Sequence, residues 1–133
     1  MIKRFSVETT ARNQMTDVTA QVEDIVAQSG VVHGVCMIQA LHTTAGLTLN
    51  ENADPNVTVD ILSQLTEIVQ LEGAYLHSEG NSDAHVKASL VGFSESLFVD
   101  HGSLVLGTWQ GIYLCEFDGP RRRHVVVKVV ADP

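Results

Sequence analysis

The sequence predicts an α+β fold in which most strands follow the helices. The chain has 133 residues, of which 44% are hydrophobic and 18% charged, and this is enough apolar sequence for a sizeable core. Two segments within the first 70 residues carry apolar side chains at helical spacing, whereas the last third contains only strand-like segments. This segregation favours α+β over a doubly wound α/β sheet. Residues 1–133 show no linker or internal repeat, so a single domain is expected.

The first elements follow from local patterns. Ile2 to Glu8 alternates partly between apolar and polar residues, as a half-buried strand does. A helix is predicted between an N-cap at Thr16 and a C′ glycine at Gly30, because apolar residues between them recur at helical spacing. The apolar, β-branched run from Val31 to Leu41 predicts a buried strand.

The middle of the chain predicts a second helix and a loop. Asp54-Pro55 is typical of a helix start, with Asp as the cap and Pro at the first helical position. Residues 73 to 83 are rich in Gly, Ser, Asn, Asp and His, which indicates an irregular loop. Ala84 to Val91 suits either a short helix or a strand.

The last third predicts four strands. Ser96–Val99 and Ser103–Leu106 form a predicted hairpin around the turn Asp100-His101-Gly102. Longer strands are predicted at Gly107–Phe117 and His124–Val130.

Charge and hydropathy exclude several classes of protein. Eight Lys and Arg against sixteen Asp and Glu give a net charge of −8, which disfavours nucleic-acid binding and polybasic membrane binding. No apolar run approaches the roughly 20 residues of a membrane span, and no apolar segment follows the basic N-terminus as in a secretory signal. A soluble, cytoplasmic protein is therefore expected. Cys36 and Cys115 lack Cys-x-x-Cys spacing and are predicted to be buried free thiols.

The basic residues are unevenly distributed. Between Asn13 and Pro120 the chain has fourteen acidic residues and one basic residue, Lys87. Arg121-Arg122-Arg123 then follow in succession. Two interpretations stay open: a solvated hairpin tip, or an anion clamp whose guanidinium groups pair with phosphate or carboxylate.

The segment His42–Pro55 is rich in polar groups between a predicted strand and a predicted helix. A strand end beside a helix N-terminus favours anions, and the Thr43 and Thr44 hydroxyls would add donors. Asn50, Glu51 and Asn52 would hold a metal or an attacking group. The alternative is ordinary capping, in which these side chains satisfy turn backbone.

A third candidate is the polar loop from His77 to His85. Its two imidazoles, with carboxylates such as Glu79 between them, would chelate a divalent ion if the loop folds back, and His42 would supply a third nitrogen. The spacing matches no standard zinc motif, so exposed loop histidines are the alternative. The remaining histidines are predicted to stand alone as structural or exposed residues: His33, His101 and His124.

Nucleophile and nucleotide-binding motifs are missing. Gly-x-Ser-x-Gly, the P-loop and the dinucleotide-binding Gly-x-Gly-x-x-Gly do not occur, and neither cysteine has a basic neighbour. If the protein is an enzyme, we expect it to act by positioning, electrostatics and a metal ion.

Three long segments resemble the YjbQ-like family, whose members are small proteins described as secondary thiamine-phosphate synthases. These segments are His42–Pro55, His77–Leu90 and Gly107–Arg123, so the resemblance spans nearly the whole chain. It implies a mixed or antiparallel β-sandwich-like core with two main helices packed on one side, assembled as a homotrimer.

The resemblance also implies a function. It predicts a weak, metal-assisted transferase that joins a pyrimidine pyrophosphate to a thiazole phosphate with loss of pyrophosphate. A divalent metal, Zn or Mg, would be held by His42, His77 and His85. The phosphate groups would be held by Thr43, Thr44, Arg121, Arg122 and Arg123. Glu116 and Asp118 would orient the arginines, since free carboxylates oppose anion binding. The predicted catalytic residues are Glu51, Glu79 and Asn50.

Two rival functions use the same residues. One is a metal-dependent hydrolase of phosphate esters. The other is a trimeric protein that binds a small anion or metabolite without turnover.

Overall fold

Two antiparallel sheets and three helices make up the protein, and the computed structural model describes residues 1–133. The helices are α1 (Thr19–Ser29), α2 (Pro55–Ile68) and α3 (Ser82–Val91). The strands are β1 (Ile2–Glu8), β2 (Gln14–Asp17), β3 (Gly34–Ala40), β4 (Ala45–Glu51), β5 (Ser94–Asp100), β6 (Ser103–Leu104), β7 (Gln110–Glu116) and β8 (Arg122–Ala131).

The sheets differ in size and pack around a shared core. The five-stranded sheet has the order β1-β8-β3-β5-β6 and the three-stranded sheet the order β2-β7-β4. One apolar cluster contains buried residues from both sheets, such as Ile38 and Leu47, and from α1, such as Val22. A second cluster joins α2 and α3 to the other side of β7, around Phe117. The α+β fold with a sandwich-like core is confirmed, although three helices are present and only α2 and α3 share one cluster.

Two strands, β2 and β4, were not predicted from the sequence. Thr16 lies in β2, where it pairs with Leu114, and it is not a helix cap. The helix begins at Thr19, whose backbone N–H donates to the Asp17 carboxylate at 2.9 Å. The polar segment after His42 contains β4, because its residues 45–51 pair with all of β7. Cross-strand pairing therefore overrode local polarity in both places.

Other predictions match the structure. Asp54 caps α2 by accepting a hydrogen bond from the Asn56 N–H at 2.9 Å, with Pro55 at the first helical position. The hairpin between β5 and β6 turns at His101 and Gly102, which have φ of 49° and 78°. The ambiguous segment at Ala84 is helical. Both cysteines are free and buried. None of the helices is long and apolar enough to cross a membrane.

The two connections between the sheets meet at one end of the sandwich. Residues 41–44 lead from β3 to β4, and residues 117–121 lead from β7 to β8. Because β3 pairs with β8 and β4 pairs with β7, these connections are neighbours. The Phe117 N–H donates to the Thr44 carbonyl at 3.2 Å and joins them directly.

Candidate functional site

A polar cleft of about 380 Å³ lies at this end of the sandwich. Only one of its lining residues, Leu41, is hydrophobic. The inter-sheet connections supply most of the polar side chains, and the rest come from the segment leading into α3, from α3 itself and from the start of β8. We call it the crossover pocket, and it is lined by Leu41, His42, Thr43, Thr44, Glu79, Asn81, His85, Asp118, Arg121 and Arg123.

Arg123 and Glu116 form a buried ion pair at the pocket. Their side chains are 4% and 0% exposed. Arg123 Nε donates to Glu116 Oε1 at 2.8 Å, and its Nη2 contacts both Glu116 Oε2 and the Thr44 hydroxyl. Burial alone would raise the pKa of Glu116, but hydrogen bonds from Arg123, the Asp118 N–H and Thr9 outweigh burial and lower that pKa. The pair is a fixed charged framework beneath the pocket.

Arg121 is the accessible arginine of the pocket. Its Nε donates to the Asp118 carbonyl at 2.8 Å and its Nη2 to the Asp118 carboxylate at 3.1 Å, while 53% of the side chain stays exposed. The prediction that Glu116 and Asp118 orient arginines is confirmed by these bonds and by those of Arg123. Burial would raise the pKa of Asp118, but Asn81 and Arg121 lower it below its ordinary value.

Arg122 lies outside the pocket. It is exposed, its Nε is 3.4 Å from Glu8, and it does not line the cleft. Successive residues of a strand point to opposite faces, so β8 separates Arg122 from Arg123. The three arginines therefore do not act as one clamp: one is buried, one faces the pocket and one faces solvent.

His42 accepts a backbone hydrogen bond in the pocket. Its Nε2 is 2.7 Å from the His124 N–H. Burial lowers the pKa of His42, and the Arg123 charge lowers it further. A neutral ring whose Nε2 accepts must carry its proton on Nδ1. His42 is therefore suited to donate to an anion through Nδ1–H, whereas the predicted role as a metal ligand would require breaking this arrangement.

The N-terminus of α3 also faces the pocket. Asn81, the N-cap residue, makes no side-chain capping bond. Its Nδ2 donates to Asp118 at 2.9 Å, whereas its buried Oδ1 has no hydrogen-bond partner. The positive end of the helix dipole favours an anion here.

The histidine loop folds back, which was the condition set for its two imidazoles to share an ion. The rings of His77 and His85 meet edge to face, with centroids 5.5 Å apart. His77 Nε2 lies 3.9 Å from Glu79. However, no three ligand atoms from these residues and His42 lie within 4.8 Å of one another. In this chain only the group His33, Asp100 and His101 meets that distance.

Asn50 and Glu51 lie away from the crossover pocket. They end β4, whose seven residues place them about 20 Å along the strand from Thr44. Glu51 Oε2 accepts the Asp54 N–H at 3.1 Å, and Asn50 Oδ1 accepts the Glu51 N–H at 2.8 Å. The capping interpretation fits both residues, because each side chain accepts a hydrogen bond from a nearby backbone N–H.

Several residues around the site were not predicted from the sequence. Arg12 lies 3.1 Å from the buried Asp83 carboxylate and 3.7 Å from Asp118. Lys87, only 2% exposed, lies 3.5 Å from Asp83. Thr9 donates to Glu116 at 2.7 Å. The isolation of Lys87 among acidic residues was the one hint, since a lone cation there needs a nearby anion.

The fold and pocket define a class of small two-sheet α+β proteins with a polar cleft between the sheet crossovers. Residues 3–132 match the family model described as UPF0047 protein YjbQ-like. The chain belongs to this family.

Its relatives cover almost the whole chain. UPF0047 protein YugU of Bacillus subtilis is 47% identical over 98% of this chain and 99% of its own. UPF0047 protein MJ1081 of Methanocaldococcus jannaschii is 44% identical over 99% and 96%. Among solved structures, a YjbQ/UPF0047 family protein of Clostridium acetobutylicum is 50% identical, with a TM-score of 0.95 over 96% of this chain and 99% of its own. A YbjQ-like protein of unknown function from Sulfolobus solfataricus is 35% identical, with a TM-score of 0.95 over 99% and 97%.

These comparisons correct the predicted activity. The names of the family and of these relatives include no thiamine-phosphate synthase and no hydrolase. The prediction of a thiamine-phosphate synthase is therefore wrong as the function of this family, and the hydrolase alternative has no support either. The resemblance identified the family and the fold correctly.

Proposed function

We propose that the crossover pocket binds a small phosphorylated or similarly anionic ligand. The observation that carries this proposal is the convergence of Arg121, His42 and the start of α3 on one polar cleft. The hydroxyl of Thr43, on the exposed rim, would add a donor. Guanidinium groups, helix N-termini and hydroxyls all donate hydrogen bonds to phosphate oxygens.

The charge of the pocket favours a ligand that arrives with a cation. Arg121 is balanced by Asp118, and Arg123 is balanced by Glu116. Glu79 adds a further carboxylate beside His85. Glu79 would repel an anion that arrives alone. An anion bound to a divalent cation would instead present negative charge to Arg121 and positive charge to Glu79.

His77, His85 and Glu79 are the residues proposed to hold the divalent cation. Two imidazoles suit Zn²⁺ better than Mg²⁺, which prefers oxygen ligands. The three side chains do not converge within 4.8 Å, so they would have to close around the ion, and an oxygen of the anion would complete the ligand set. The cation would supply positive charge next to Glu79, and His42 would stay a donor to the anion.

The experiment is a calorimetric titration with inorganic pyrophosphate, with and without micromolar zinc. Arg121→Gln should weaken binding at least tenfold, because it removes the accessible guanidinium group. Arg122→Gln is the matched control and should leave the affinity unchanged, since Arg122 lies outside the pocket. Zinc should strengthen binding in the wild type and have no such effect in a His77→Ala, His85→Ala variant. Equal losses in the two arginine variants would overturn the proposal.

We also propose that the chain assembles as a homotrimer through the outer face of the five-stranded sheet. This face carries exposed apolar side chains on paired positions of neighbouring strands. Val35 of β3 lies opposite Val130 on one side and Phe98 on the other, and Phe98 is 71% exposed. Such a patch marks an interaction surface, and burying it against copies of the same chain would remove it from water.

A further inference from the structure

The structure places a second group of metal-type ligands far along the sheet from the crossover pocket. His33, Asp100 and His101 offer ligand atoms that all lie within 4.8 Å of one another. We propose that these three residues bind a divalent transition-metal ion of the zinc type. This inference is independent of the proposed function of the pocket.

The backbone brings the three residues together. Gly34 pairs with Val99, so the antiparallel register places His33 directly opposite Asp100. His101 follows Asp100 in the hairpin turn, where its φ of 49° turns the chain back. The group therefore combines two strand ends and a tight turn.

Hydrogen bonds fix the backbone on both sides of the group. The Gly102 N–H donates to the Val32 carbonyl at 2.9 Å and ties the turn to the residue before His33. The Asp132 N–H donates to the His33 carbonyl at 3.0 Å. The backbone that carries the three ligands is therefore held in place by hydrogen bonds, which lowers the entropy lost on metal binding.

The side chains already converge on one carboxylate. His33 Nδ1 lies 2.8 Å from Asp100 Oδ1, and His101 Nδ1 lies 3.0 Å from Oδ2. The two rings meet edge to face, with centroids 5.2 Å apart. A metal ion would take the place of the protons that these nitrogens share with the carboxylate. A neutral ring frees Nδ1 by moving its proton to Nε2, and a protonated ring releases one proton to solvent.

The chemistry of the group selects the class of metal. Two imidazole nitrogens and a carboxylate oxygen suit Zn²⁺, Co²⁺ or Ni²⁺, and do not suit Mg²⁺. All three side chains are exposed, at 51%, 55% and 83%, so the ion would keep water in its remaining positions. Glu23 and Asp24 of α1 line a cleft with Gly102 and add negative charge near the turn.

The test is a Co²⁺ titration of chelator-treated protein, followed by visible absorption. The starting variant carries His77→Ala and His85→Ala, so the cation site proposed for the pocket is removed. We expect it to bind about one Co²⁺ per chain and to show ligand-field bands. Adding His33→Ala and His101→Asn should weaken binding at least tenfold, and Asn is chosen because it tolerates positive φ.

The reciprocal variant separates the two sites. With His77 and His85 intact, His33→Ala and His101→Asn should remove one of the bound Co²⁺ ions and leave pyrophosphate affinity unchanged. The inference is overturned if the starting variant binds no Co²⁺, or if the added substitutions leave its affinity and its spectrum unaltered.

Discussion

The buried ion pair of Arg123 and Glu116 is expected to contribute strongly to the free energy of unfolding. Glu116→Gln would leave the Arg123 charge buried without its partner, and we expect a loss of about 3–5 kcal/mol in the free energy of unfolding. Urea unfolding measures this loss. Glu8→Gln is the control, since it removes the exposed partner of Arg122 and should cost about 1 kcal/mol or less. Similar losses in both variants would contradict the structural role of the buried pair.

The same carboxylate predicts acid sensitivity. The pKa of Glu116 is lowered in the folded protein from an ordinary value of 4.5, so its contribution to stability is present above that value. It is lost as the pH falls from about 4.5 through the folded pKa, because protonation then favours the unfolded chain. Urea unfolding between pH 6 and pH 3 should show this loss, and Glu116→Gln should have a flatter profile. A profile of unchanged slope would assign the acid sensitivity to other carboxylates.

His42 predicts a second, separate pH dependence. Burial and Arg123 lower its pKa from 6.5 in the folded state. The unfolded chain therefore binds more protons just below pH 6.5, and stability should fall as the pH drops through that window. Nitrogen-15 NMR of the imidazole should show a neutral, Nδ1-protonated ring at pH 7. A midpoint at or above 6.5 would contradict this account of the pocket.

At the residue scale, the sequence predicted which residues belong to the site better than it predicted where their side chains lie. His42, Thr43, Glu79, His85 and Arg121 were all predicted as site residues and line one pocket. Arg12 and Lys87, which contact carboxylates around the pocket, were not predicted, because nothing in local sequence shows which distant carboxylate a cation will meet. Arg122 was assigned to the site although strand alternation directs it away.

Glycine positions control the pairing of the strands. A Cβ at Gly34 would collide with the backbone carbonyl of Val130, at the point where β3 pairs with β8. Gly34→Ala should therefore lower the free energy of unfolding by about 1–3 kcal/mol, because backbone must shift. Gly73→Ala is the control, since its Cβ would make ordinary contact with Tyr75 at 3.5 Å. Thermal unfolding that ranks the two variants equally would contradict the register of this pair.

At the scale of elements, apolar periodicity and turn or cap residues predicted helices and strands correctly, whereas polar segments that form strands were missed. β1, the hairpin and the helix at Pro55 follow from local signals. β2 and β4 do not, because their polar residues become strand only by pairing with β7. The missed β4 is also why Asn50 and Glu51 were assigned to the same site as Thr44.

At the scale of the whole molecule, the exposed apolar side chains on the outer face of the five-stranded sheet predict that the chain assembles with copies of itself. Light scattering of the wild type should give three times the 14.4 kDa chain mass. Phe98→Asp should shift the mass toward the monomer, because it places a charge in the apolar patch. Val59→Asp, at a residue 61% exposed on α2, is the control and should leave the mass unchanged. A monomeric wild type at micromolar concentration would contradict the proposed trimer.

A crystal grown with tungstate, a heavy analogue of phosphate, shows whether the crossover pocket binds an anion. We expect an anomalous peak within hydrogen-bond distance of Arg121 and His42 Nδ1, which disappears in the Arg121→Gln variant. A peak confined to other surfaces, or one that survives the substitution, would contradict an anion site in this pocket.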